Sequence, residues 1–389
     1  MTPAARLAAA IGLLDAVLAG EPAERALTRW GRENRFAGSG DRAAIRDHVF
    51  DALRGRRSLA ALGGAETGRG LVIGLLRAEG TDPATVFTGT GHAPAPLTPE
   101  EAAHVPSATL PPDLPDWLVA RFEAALGDAA AVAIAALRHR APVHLRVNTA
   151  RTDRAAAARS LAAEGVETRA HPLAATALEV TGPARKLRET TAFREGHVEL
   201  QDAASQLAVL ALPLRDGDRV LDYCAGGGGK TLAIGARARV DLVAHDIDPA
   251  RMADLGPRAA RAGVAVRRVT TDGLAGCGLF DLVLVDAPCS GSGTWRRAPE
   301  AKWRLTPAAL EALTRTQDGV LAAAARRVRP GGWLAYATCS VLAEENEDRI
   351  AAFRAGHPGW TPGAALRLAP GGLHDGFYLQ CLQRPVTQP

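Results

Sequence analysis

The sequence predicts an α/β protein with a doubly wound parallel sheet over residues 201–389, a small α/β unit over 141–200 and an all-helical domain over 1–90. Two apolar runs, FDLVLVDAPCS (280–290) and GGWLAYATCS (331–340), each end in a cysteine and are typical of buried parallel strands. From residue 201 onward such runs alternate with helical patterns, which indicates a doubly wound sheet. The first ninety residues show helical periodicity with short breaks.

Helical patterns come first along the chain. The segments that predict helices within 1–90 are AARLAAAIGLLDAVLAG, PAERALTRWGREN, SGDRAAIRDHVFDALRGRRSLAAL and TGRGLVIGLLRAEG. Asp15 interrupts the first apolar stretch, so an amphipathic helix is predicted there rather than a signal peptide. Residues 91–140 begin with a linker rich in proline and threonine and continue with two more helices. No run is long enough to predict a membrane span.

Strand patterns begin at residue 141. VHLRVN, VETRAHP and ALEVTG predict strands around the helix TDRAAAARSLAAEG. In the last domain the predicted strands are DRVLDYCA, DLVAHDID, AVRRVTTD, FDLVLVDAP and WLAYATCS, and helices connect them. A terminal strand, FYLQCLQR, is predicted to close the sheet.

Composition narrows the possible classes of protein. The net charge of +4 is compatible with a nucleic-acid partner, and equally with an ordinary protein that has a slight arginine excess. The five cysteines include no C-x-x-C pair, which argues against a disulfide framework or a zinc site. A reducing compartment and therefore a cytoplasmic location are expected.

Residues 220–231, VLDYCAGGGGKT, predict a glycine-rich turn between a strand and a helix. Glycines allow backbone N–H groups to approach a polar ligand at a helix N-terminus. The spacing is not that of a P-loop, so a tight turn without a ligand stays an alternative. Acidic residues at successive predicted strand ends favour a nucleotide-like cofactor, with its ribose hydroxyls at Asp246 and Asp248 and its adenine near Asp272. These residues are Asp222, Asp246, Asp248, Asp272 and Asp286.

Taken together, these motifs resemble the NOL/NOP/Sun family of RNA cytosine-5 methyltransferases, in its RsmB type. The matching segments are RVN (146–148), LQDAASQ (200–206), LDYCAGGGGKT, HDIDPARM, TDG, VDAPCSGSGTWRRAPEAKW, YATCSVLAEEN and DGFY (375–378). The resemblance implies a Rossmann-like core that binds S-adenosylmethionine through Cys224, Ala225, Gly226, Gly227, Gly228, Gly229, Lys230, Asp246, Asp272 and Asp286. The family usually has Ala-Pro in place of Gly226-Gly227, so a looser loop is expected here.

Two cysteines are the predicted reacting groups. The resemblance implies that Cys339 adds to carbon 6 of a cytosine, a role that suits a thiolate because it is strongly nucleophilic and leaves readily. Cys289 would assist release of the enzyme, and Asp286 would hydrogen-bond the base. For each thiol alone a buried structural role is the alternative, and it is the interpretation for Cys277 and Cys381.

Basic residues supply the predicted RNA contacts. Lysine occurs three times in the chain, and Lys302 follows the motif RRAPEA, so contact with RNA or with the flipped nucleotide is predicted for it. A solvated loop lysine is the alternative. The first ninety residues resemble the NusB-like helical RNA-binding domain that precedes the RsmB-type core. Predicted phosphate contacts are Arg54, Arg56, Arg57, Arg296 and Arg297.

The sequence therefore predicts methylation of carbon 5 of cytosine in rRNA, of the 16S type, by a monomer without a metal or a membrane anchor. Cytosine-5 methylation of tRNA and a non-RNA methyltransferase on the same fold stay as alternatives. A non-RNA methyltransferase needs no paired thiols. An inactive RNA-binding scaffold is disfavoured because both cysteines are present.

Overall fold

The computed structural model describes residues 1–182 and 184–386, which form two compact units. The helical unit contains residues 1–123, 128–140 and 295–304. The catalytic unit contains residues 124–127, 141–294 and the remainder from 305. The predicted segment 91–140 thus belongs mainly with the helices before it. The predicted last domain extends to residue 389, and 387–389 lie outside the described residues, as does residue 183 of the predicted 141–200 unit.

Helices occur throughout both units. In chain order they are α1 (Pro3–Leu18), α2 (Ala23–Glu33), α3 (Ser39–Arg54), α4 (Arg56–Gly63), α5 (Gly68–Ala78), α6 (Pro99–Ala103), α7 (Asp116–Leu126), α8 (Ala130–Ala136), α9 (Arg154–Ala163), α10 (Thr191–Arg194), α11 (Ala203–Leu210), α12 (Gly229–Arg237), α13 (Leu255–Ala262), α14 (Glu300–Arg304), α15 (Pro307–Ala325) and α16 (Glu347–Gly356).

Strands occur in the catalytic unit. In chain order they are β1 (Val143–Val147), β2 (Thr168–Ala170), β3 (Ala177–Val180), β4 (Val198–Leu200), β5 (Arg219–Asp222), β6 (Asp241–His245), β7 (Arg267–Val269), β8 (Phe280–Asp286), β9 (Val328–Thr338), β10 (Thr361–Leu368) and β11 (Phe377–Gln383).

The helical unit packs α1, α3, α4 and α5 around a leucine- and alanine-rich core. Thr2 caps α1 by accepting the N–H of Ala5 at 3.2 Å, and a proline occupies the first helical position. Residues 295–304 also belong to this unit, although the sequence predicted them as part of the catalytic domain. Trp295 is buried and stacks on Phe122 at 5.9 Å between ring centres, which explains why the segment packs here.

A small antiparallel sheet of order β2-β3-β1-β4 forms the predicted α/β unit, with α9 against it. The sequence patterns predicted three of these strands. The fourth, β4, is three residues long, too short for an alternating pattern to be recognised. It pairs with β1 and leads directly into α11.

The large sheet has the order β10-β11-β9-β8-β5-β6-β7, and the strands from β9 to β7 are parallel. Alternate residues of β8 belong to two separate cores, with Val283 and Val285 in one and Leu282 and Leu284 in the other. Both faces are therefore buried, as in a doubly wound sheet, and the predicted fold class is confirmed. The order reverses beside β5, where an open α/β sheet has its binding crevice.

In the large sheet, the sequence patterns missed one strand and misplaced another. β11 does not close the sheet, because it pairs on one side with β9 and on the other with β10. β10 forms the edge, its residues are largely exposed, and its pairing is irregular between Pro362 and Ala365. An exposed edge strand that contains proline and glycine lacks the apolar alternation from which strands are predicted.

Within the described residues, no single helix is long and apolar enough to cross a bilayer. The bent pair α4 and α5 meets the length and composition criteria when the two helices are taken together.

Candidate active site

Two neighbouring strands bring the predicted cysteines together. Cys289 follows β8 and Cys339 follows β9, and Asp286 on the first strand is in register with Ala337 on the second. The two sulfur atoms lie 3.5 Å apart, within hydrogen-bonding distance for thiols. Both side chains are half-buried. Both predicted thiols therefore lie at the carboxyl edge of the parallel strands, close enough to share a proton.

The two thiols differ in how readily they ionise. The hydrogen bond from Cys289 is the main cause that lowers the pKa of Cys339, and the Lys230 ammonium adds to it, while burial and the Asp286 carboxylate act in the opposite direction. The same hydrogen bond, burial and the Glu345 carboxylate raise the pKa of Cys289 well above its ordinary value. Cys339 is therefore the thiol that ionises first, because its thiolate accepts the hydrogen bond that Cys289 donates.

Lys230 and Asp286 form an ion pair beside Cys339. Lys230 lies in the first turn of α12, and its Nζ is 2.6 Å from Oδ2 of Asp286, the last residue of β8. Nζ also lies 4.9 Å from the ring centre of Phe377. Burial lowers the pKa of Lys230, but the attraction of Asp286 outweighs it and the pKa is raised overall. The ammonium therefore stays charged at neutral pH.

Glu345 holds the loop that contains Cys289, a role for which the sequence offered little signal. Its carboxylate is fully buried and accepts the N–H of Ser290 at 2.8 Å, the Ser290 hydroxyl and the side-chain amide of Gln317 at 3.1 Å. Because Ser290 follows Cys289 directly, these bonds fix the position of the thiol. The one available signal was the matched segment YATCSVLAEEN, in which Glu345 lies six residues after Cys339.

The glycine-rich turn connects β5 to α12 in a shape that requires glycine. Gly226 and Gly228 adopt left-handed conformations, with φ of +49° and +81°. A Cβ on Gly228 would lie 2.2 Å from Cδ1 of Leu255, so no larger residue fits there without displacing that leucine. The N–H of Gly226 donates to Oδ2 of Asp246 at 2.9 Å, which ties the turn to the end of β6.

The acidic residues at the strand ends fit a polar cofactor. Asp222 is the last residue of β5 and Asp246 follows β6; both are buried, whereas Asp272, after β7, is exposed. Burial raises the pKa of Asp222 to about 7. Its Oδ2 accepts the Thr231 hydroxyl at 2.6 Å, while its buried Oδ1 has no hydrogen-bond partner in the described part of the chain. An unpaired buried carboxylate oxygen beside a glycine cradle fits a ligand with several hydrogen-bond donors, as S-adenosylmethionine is.

The other cysteines contribute to packing. Cys277 and Cys381 are buried, as predicted, and Cys224 packs against the core on one face of the large sheet. Burial raises the pKa of Cys224, and it raises that of Cys381 to about 12. Neither of these two thiols ionises at neutral pH.

The position of Lys302 corrects the predicted site. Lys302 belongs to the helical unit rather than to the unit that holds the two cysteines. Its side chain is fully buried, and Nζ donates to the carbonyl of Arg54 at 2.8 Å and lies 5.0 Å from the ring centre of Trp303. An ammonium buried in this way cannot contact an RNA phosphate, so the predicted catalytic role of Lys302 is wrong and its role is structural.

Most of the arginines predicted to bind phosphate also hold the helical unit together. Arg54 and Arg296 are buried, and Nε of Arg54 donates to the carbonyl of Arg296 at 2.8 Å. Arg56 and Arg57 form ion pairs with carboxylates of the same unit. The predicted phosphate contacts of Arg54 and Arg296 are therefore wrong, because a buried guanidinium is not available to RNA. Arg297 is exposed, and that prediction stays open.

Lys302 makes the stability of the helical unit depend on pH. Burial lowers its pKa to about 7, whereas an unfolded lysine has a pKa of about 10.4. Between these two pKa values the unfolded state binds more protons than the folded state, so the free energy of unfolding rises with pH. Below about pH 7 Lys302 is protonated in both states, and the full cost of burying its charge remains. Relative to a Lys302→Met variant, we expect the free energy of unfolding of the wild type to rise by about 2 kcal/mol between pH 7 and pH 9, measured by urea unfolding.

The matched control for this experiment is Lys186→Met, because Lys186 is exposed. The difference in stability between this variant and the wild type should not change over the same range of pH. Equal pH dependence in the wild type and in Lys302→Met would show that Lys302 is not buried as a charged group.

Comparisons with known proteins identify the family of the chain. The family model "16S rRNA methyltransferase RsmB/F" matches residues 209–366, and the model of the RsmF/B-like ferredoxin-like domain matches 114–185. Ribosomal RNA small subunit methyltransferase B of Sodalis glossinidius is 38% identical over 281 residues, which are 70% of this chain and 63% of the relative. The enzyme of the same name from Salmonella typhi is 37% identical over 258 residues, which are 65% of this chain and 59% of the relative. The matched region therefore spans about three fifths of these relatives' length.

Solved structures share the fold. The protein PH0851 superposes with a TM-score of 0.77 at 24% identity and covers 99% of both chains. NSun6 from Pyrococcus horikoshii, solved with SFG, has a TM-score of 0.61 at 20% identity and covers 70% of this chain and 99% of its own. These likenesses show the fold alone. The family models and the curated relatives lead to one conclusion: the chain belongs to the NOL/NOP/Sun family of S-adenosylmethionine-dependent RNA methyltransferases, in its RsmB/F branch.

Proposed function

We propose that this protein methylates carbon 5 of a cytosine in 16S rRNA through a transient bond between Cys339 and carbon 6 of the base. The observation that carries this proposal is the pair of thiols 3.5 Å apart at the sheet edge, one set to ionise and the other to keep its proton. Two such thiols serve no purpose in direct methyl transfer to a nucleophile that is already reactive. The names of the curated relatives support rRNA of the small subunit as the substrate.

Cys339 is the proposed nucleophile. Carbon 5 of cytosine reacts poorly with electrophiles until a nucleophile has added to carbon 6, which makes carbon 5 enamine-like. The lowered pKa of Cys339 supplies a thiolate for this addition near neutral pH. S-adenosylmethionine, when bound, supplies an electrophilic methyl group on sulfur. The residues proposed to hold it are the turn from Ala225 to Gly229, with Asp246 and Asp272 at the neighbouring strand ends.

Asp286 and Lys230 are proposed to orient the base and stabilise the adduct. Addition of a thiolate places negative charge on the pyrimidine, which a nearby proton donor can neutralise at nitrogen 3. The 2.6 Å ion pair favours a proton shared between Lys230 and Asp286 over a neutral Asp286 carboxyl. The free oxygen of Asp286 remains to accept a hydrogen bond from the exocyclic amine of cytosine.

Cys289 is proposed to assist release. After methylation Cys289, once it has lost its own proton to solvent, accepts the proton from carbon 5. The electrons of that C–H bond re-form the double bond between carbons 5 and 6, the bond between carbon 6 and sulfur breaks so that Cys339 leaves as a thiolate, and nitrogen 3 returns its proton to the pair of Lys230 and Asp286. The leading cause that raises the pKa of Cys289 is its hydrogen bond to Cys339. Formation of the covalent bond removes the negative charge from Cys339, so Cys289 loses its proton more readily at the stage when a base is needed.

The RNA partner is proposed to be single-stranded at the target, because a stacked cytosine cannot reach a thiol at a sheet edge. We propose that the helical unit contributes to RNA binding, through exposed groups such as Arg297 rather than through the buried arginines. Cytoplasmic action as a monomer is part of the same proposal.

Product analysis tests the proposal. The purified protein, given S-adenosylmethionine with an isotope-labelled methyl group, is incubated separately with unmodified 16S rRNA, small ribosomal subunits and bulk tRNA. Nucleoside mass spectrometry is expected to find labelled 5-methylcytidine at one position of the 16S rRNA and none in tRNA. Label in tRNA would favour the tRNA alternative, and label on another base or on protein would contradict the proposed chemistry.

Replacement of Lys230 by methionine is expected to move the acidic limb of the pH–rate profile to higher pH. The ammonium helps to lower the pKa of Cys339, so its loss raises that pKa and reduces the thiolate fraction at a given pH. The acidic limb is expected to move by about one pH unit. Single-turnover methylation measured from pH 6 to pH 9 checks this prediction. Lys186→Met removes an exposed ammonium instead and is expected to leave the limb in place. A Lys230→Met profile that only falls in amplitude, without a shift, would contradict the electrostatic role.

A further inference from the structure

The cofactor turn of this chain contains four consecutive glycines, residues 226–229. A run of glycines has the largest backbone entropy to lose on ordering, and it provides no side chain through which the turn could pack. The related family usually has Ala-Pro in place of the first two. A turn that binds a cofactor must be ordered before the ligand arrives, or the cost of ordering is taken from the affinity. The order must therefore come from residues outside the turn.

Arg258 reaches the turn from α13. Its guanidinium donates through Nη1 to the carbonyl of Gly227 and through Nε to Oε2 of Glu199 at 3.4 Å. Glu199 lies on β4, and its side chain is 12% exposed, against 23% for that of Arg258. One planar cation thus connects a strand of the small sheet to the middle of the glycine turn. Such a fork holds two acceptors in fixed directions, which an ammonium cannot do.

The guanidinium of Arg258 also occupies space beside the turn. A Cβ built on Gly227 would lie 3.1 Å from Nη1 of Arg258, closer than ordinary contact. Leu255, three residues earlier on the same face of α13, fills the corresponding space beside Gly228. Gly227 and Arg258 are therefore matched, because the guanidinium of Arg258 fills the space that a side chain at position 227 would occupy.

A second arginine holds the far end of the turn. Nη1 of Arg146 donates to the carbonyl of Gly229 at 2.7 Å and to Oε1 of Gln201 at 2.6 Å. With the Asp246 carboxylate on the N–H of Gly226, three side chains from three different strands and helices fix the turn. Arg258 is more exposed than Arg146, and it contacts Gly227, one of the two glycines that depart from the family pattern.

We propose that Arg258, oriented by Glu199, is a positioning residue that orders the glycine turn and so sets the affinity for the cofactor. The inference rests on the proposed function in one respect, that the turn binds S-adenosylmethionine. It extends that function by naming the residue that replaces the rigidity of a proline-containing turn. Arg258 and Gly227 then form a pair whose effects on cofactor affinity are not additive.

The test uses the full-length protein and S-adenosylhomocysteine as the probe. Calorimetry with Arg258→Ala is expected to show a dissociation constant raised roughly 10- to 100-fold, as for loss of a hydrogen bond from a charged group. Amide hydrogen exchange of peptides covering 222–232, without the probe, is expected to become faster. Arg258→Lys keeps the charge but cannot bridge both acceptors, so it should resemble Arg258→Ala and covers the case in which the alanine variant fails to fold.

Arg261→Ala is the matched control. Arg261 lies on the same helix and pairs with the same Glu199 oxygen at 2.7 Å, and its guanidinium packs over Phe193 rather than on the turn. This variant should change neither the affinity nor the exchange of the turn. If Arg261→Ala had the same effects as Arg258→Ala, or if the Arg258 variants left the hydrogen exchange of the turn unchanged, the proposal would be overturned.

A double-mutant cycle completes the test. Gly227→Ala alone forces a methyl group against the guanidinium and is expected to weaken binding, whereas the same change in Arg258→Ala should recover part of the lost affinity. Additive effects would overturn the matched-pair argument. A wild-type protein that bound no S-adenosylhomocysteine would count against the proposed function, and hydrogen exchange of the turn would still decide the role of Arg258.

Discussion

Replacement of Cys339 by serine is expected to lower the rate of methyl transfer to RNA by at least about 10³-fold while the fold stays intact. The hydroxyl has nearly the same size, so the hydrogen bond to Cys289 and the surrounding loop can persist. A serine hydroxyl has no charged form near neutral pH, however, and Lys230 cannot generate one. Without a thiolate carbon 6 is not attacked, and carbon 5 remains too weak a nucleophile to accept the methyl group.

Transfer of labelled methyl groups to 16S rRNA, measured in single turnover, checks this prediction. Binding of S-adenosylhomocysteine by the variant is expected to be unchanged, because Cys339 is not among the proposed cofactor contacts. The control is Cys277→Ser: Cys277 is buried and hydrogen-bonds the carbonyl of Gly273 at 3.3 Å, a role that a hydroxyl can also fill. Near-normal turnover by Cys339→Ser would contradict the covalent mechanism.

Replacement of Cys289 by alanine is expected to convert most of the enzyme into a covalent complex with RNA. Addition and methylation need Cys339, whereas release is proposed to need Cys289, so the reaction should stop at the methylated adduct. A band of higher mass in denaturing gels, dependent on S-adenosylmethionine and removed by nuclease, measures the complex. The double variant Cys289→Ala/Cys339→Ser is expected to give no band, which identifies the attached sulfur.

The rate at which the covalent complex forms should depend on pH, because Cys289 affects the pKa of Cys339. The hydrogen bond from Cys289 is the leading cause that lowers the pKa of Cys339. Its removal raises that pKa, so the adduct in Cys289→Ala should form faster at about pH 8.5 than at about pH 7, with a steeper dependence than single-turnover methylation by the wild type. Absence of a complex at either pH, together with normal multiple turnover, would show that Cys289 has no part in release.

The parallel part of the large sheet could be predicted because its signals are local. FDLVLVDAP and WLAYATCS are largely apolar, since both faces of these strands are buried. β10 lacked such a signal because an edge strand has one paired side and carries exposed residues. Its pairing with β11 depends on the remainder of the sheet being in place, which no local pattern expresses.

Lys302 and the arginines of the helical unit show the limit of motif reading. A lysine in a matched motif has the same letters whether it faces RNA or donates to the carbonyl of Arg54. Burial is a property of what packs around a residue, and the carbonyl to which Lys302 donates lies 248 positions away along the chain. Arg258 gives the opposite case: no motif singled it out, and its contact with Gly227 appears only once α13 is packed beside the turn.

The amino-acid sequence by itself determined which chemistry this protein can perform: a glycine turn after one strand, and a cysteine after each of two others, because strand ends and turn residues are fixed by local pattern. The tertiary structure alone decided which groups act on each other. Strand order set the sulfur atoms 3.5 Å apart, and the packing of distant segments chose Lys230, Asp286 and Glu345 as their charged neighbours. Electrostatic effects depend on distance and burial, and those quantities exist only in the folded chain.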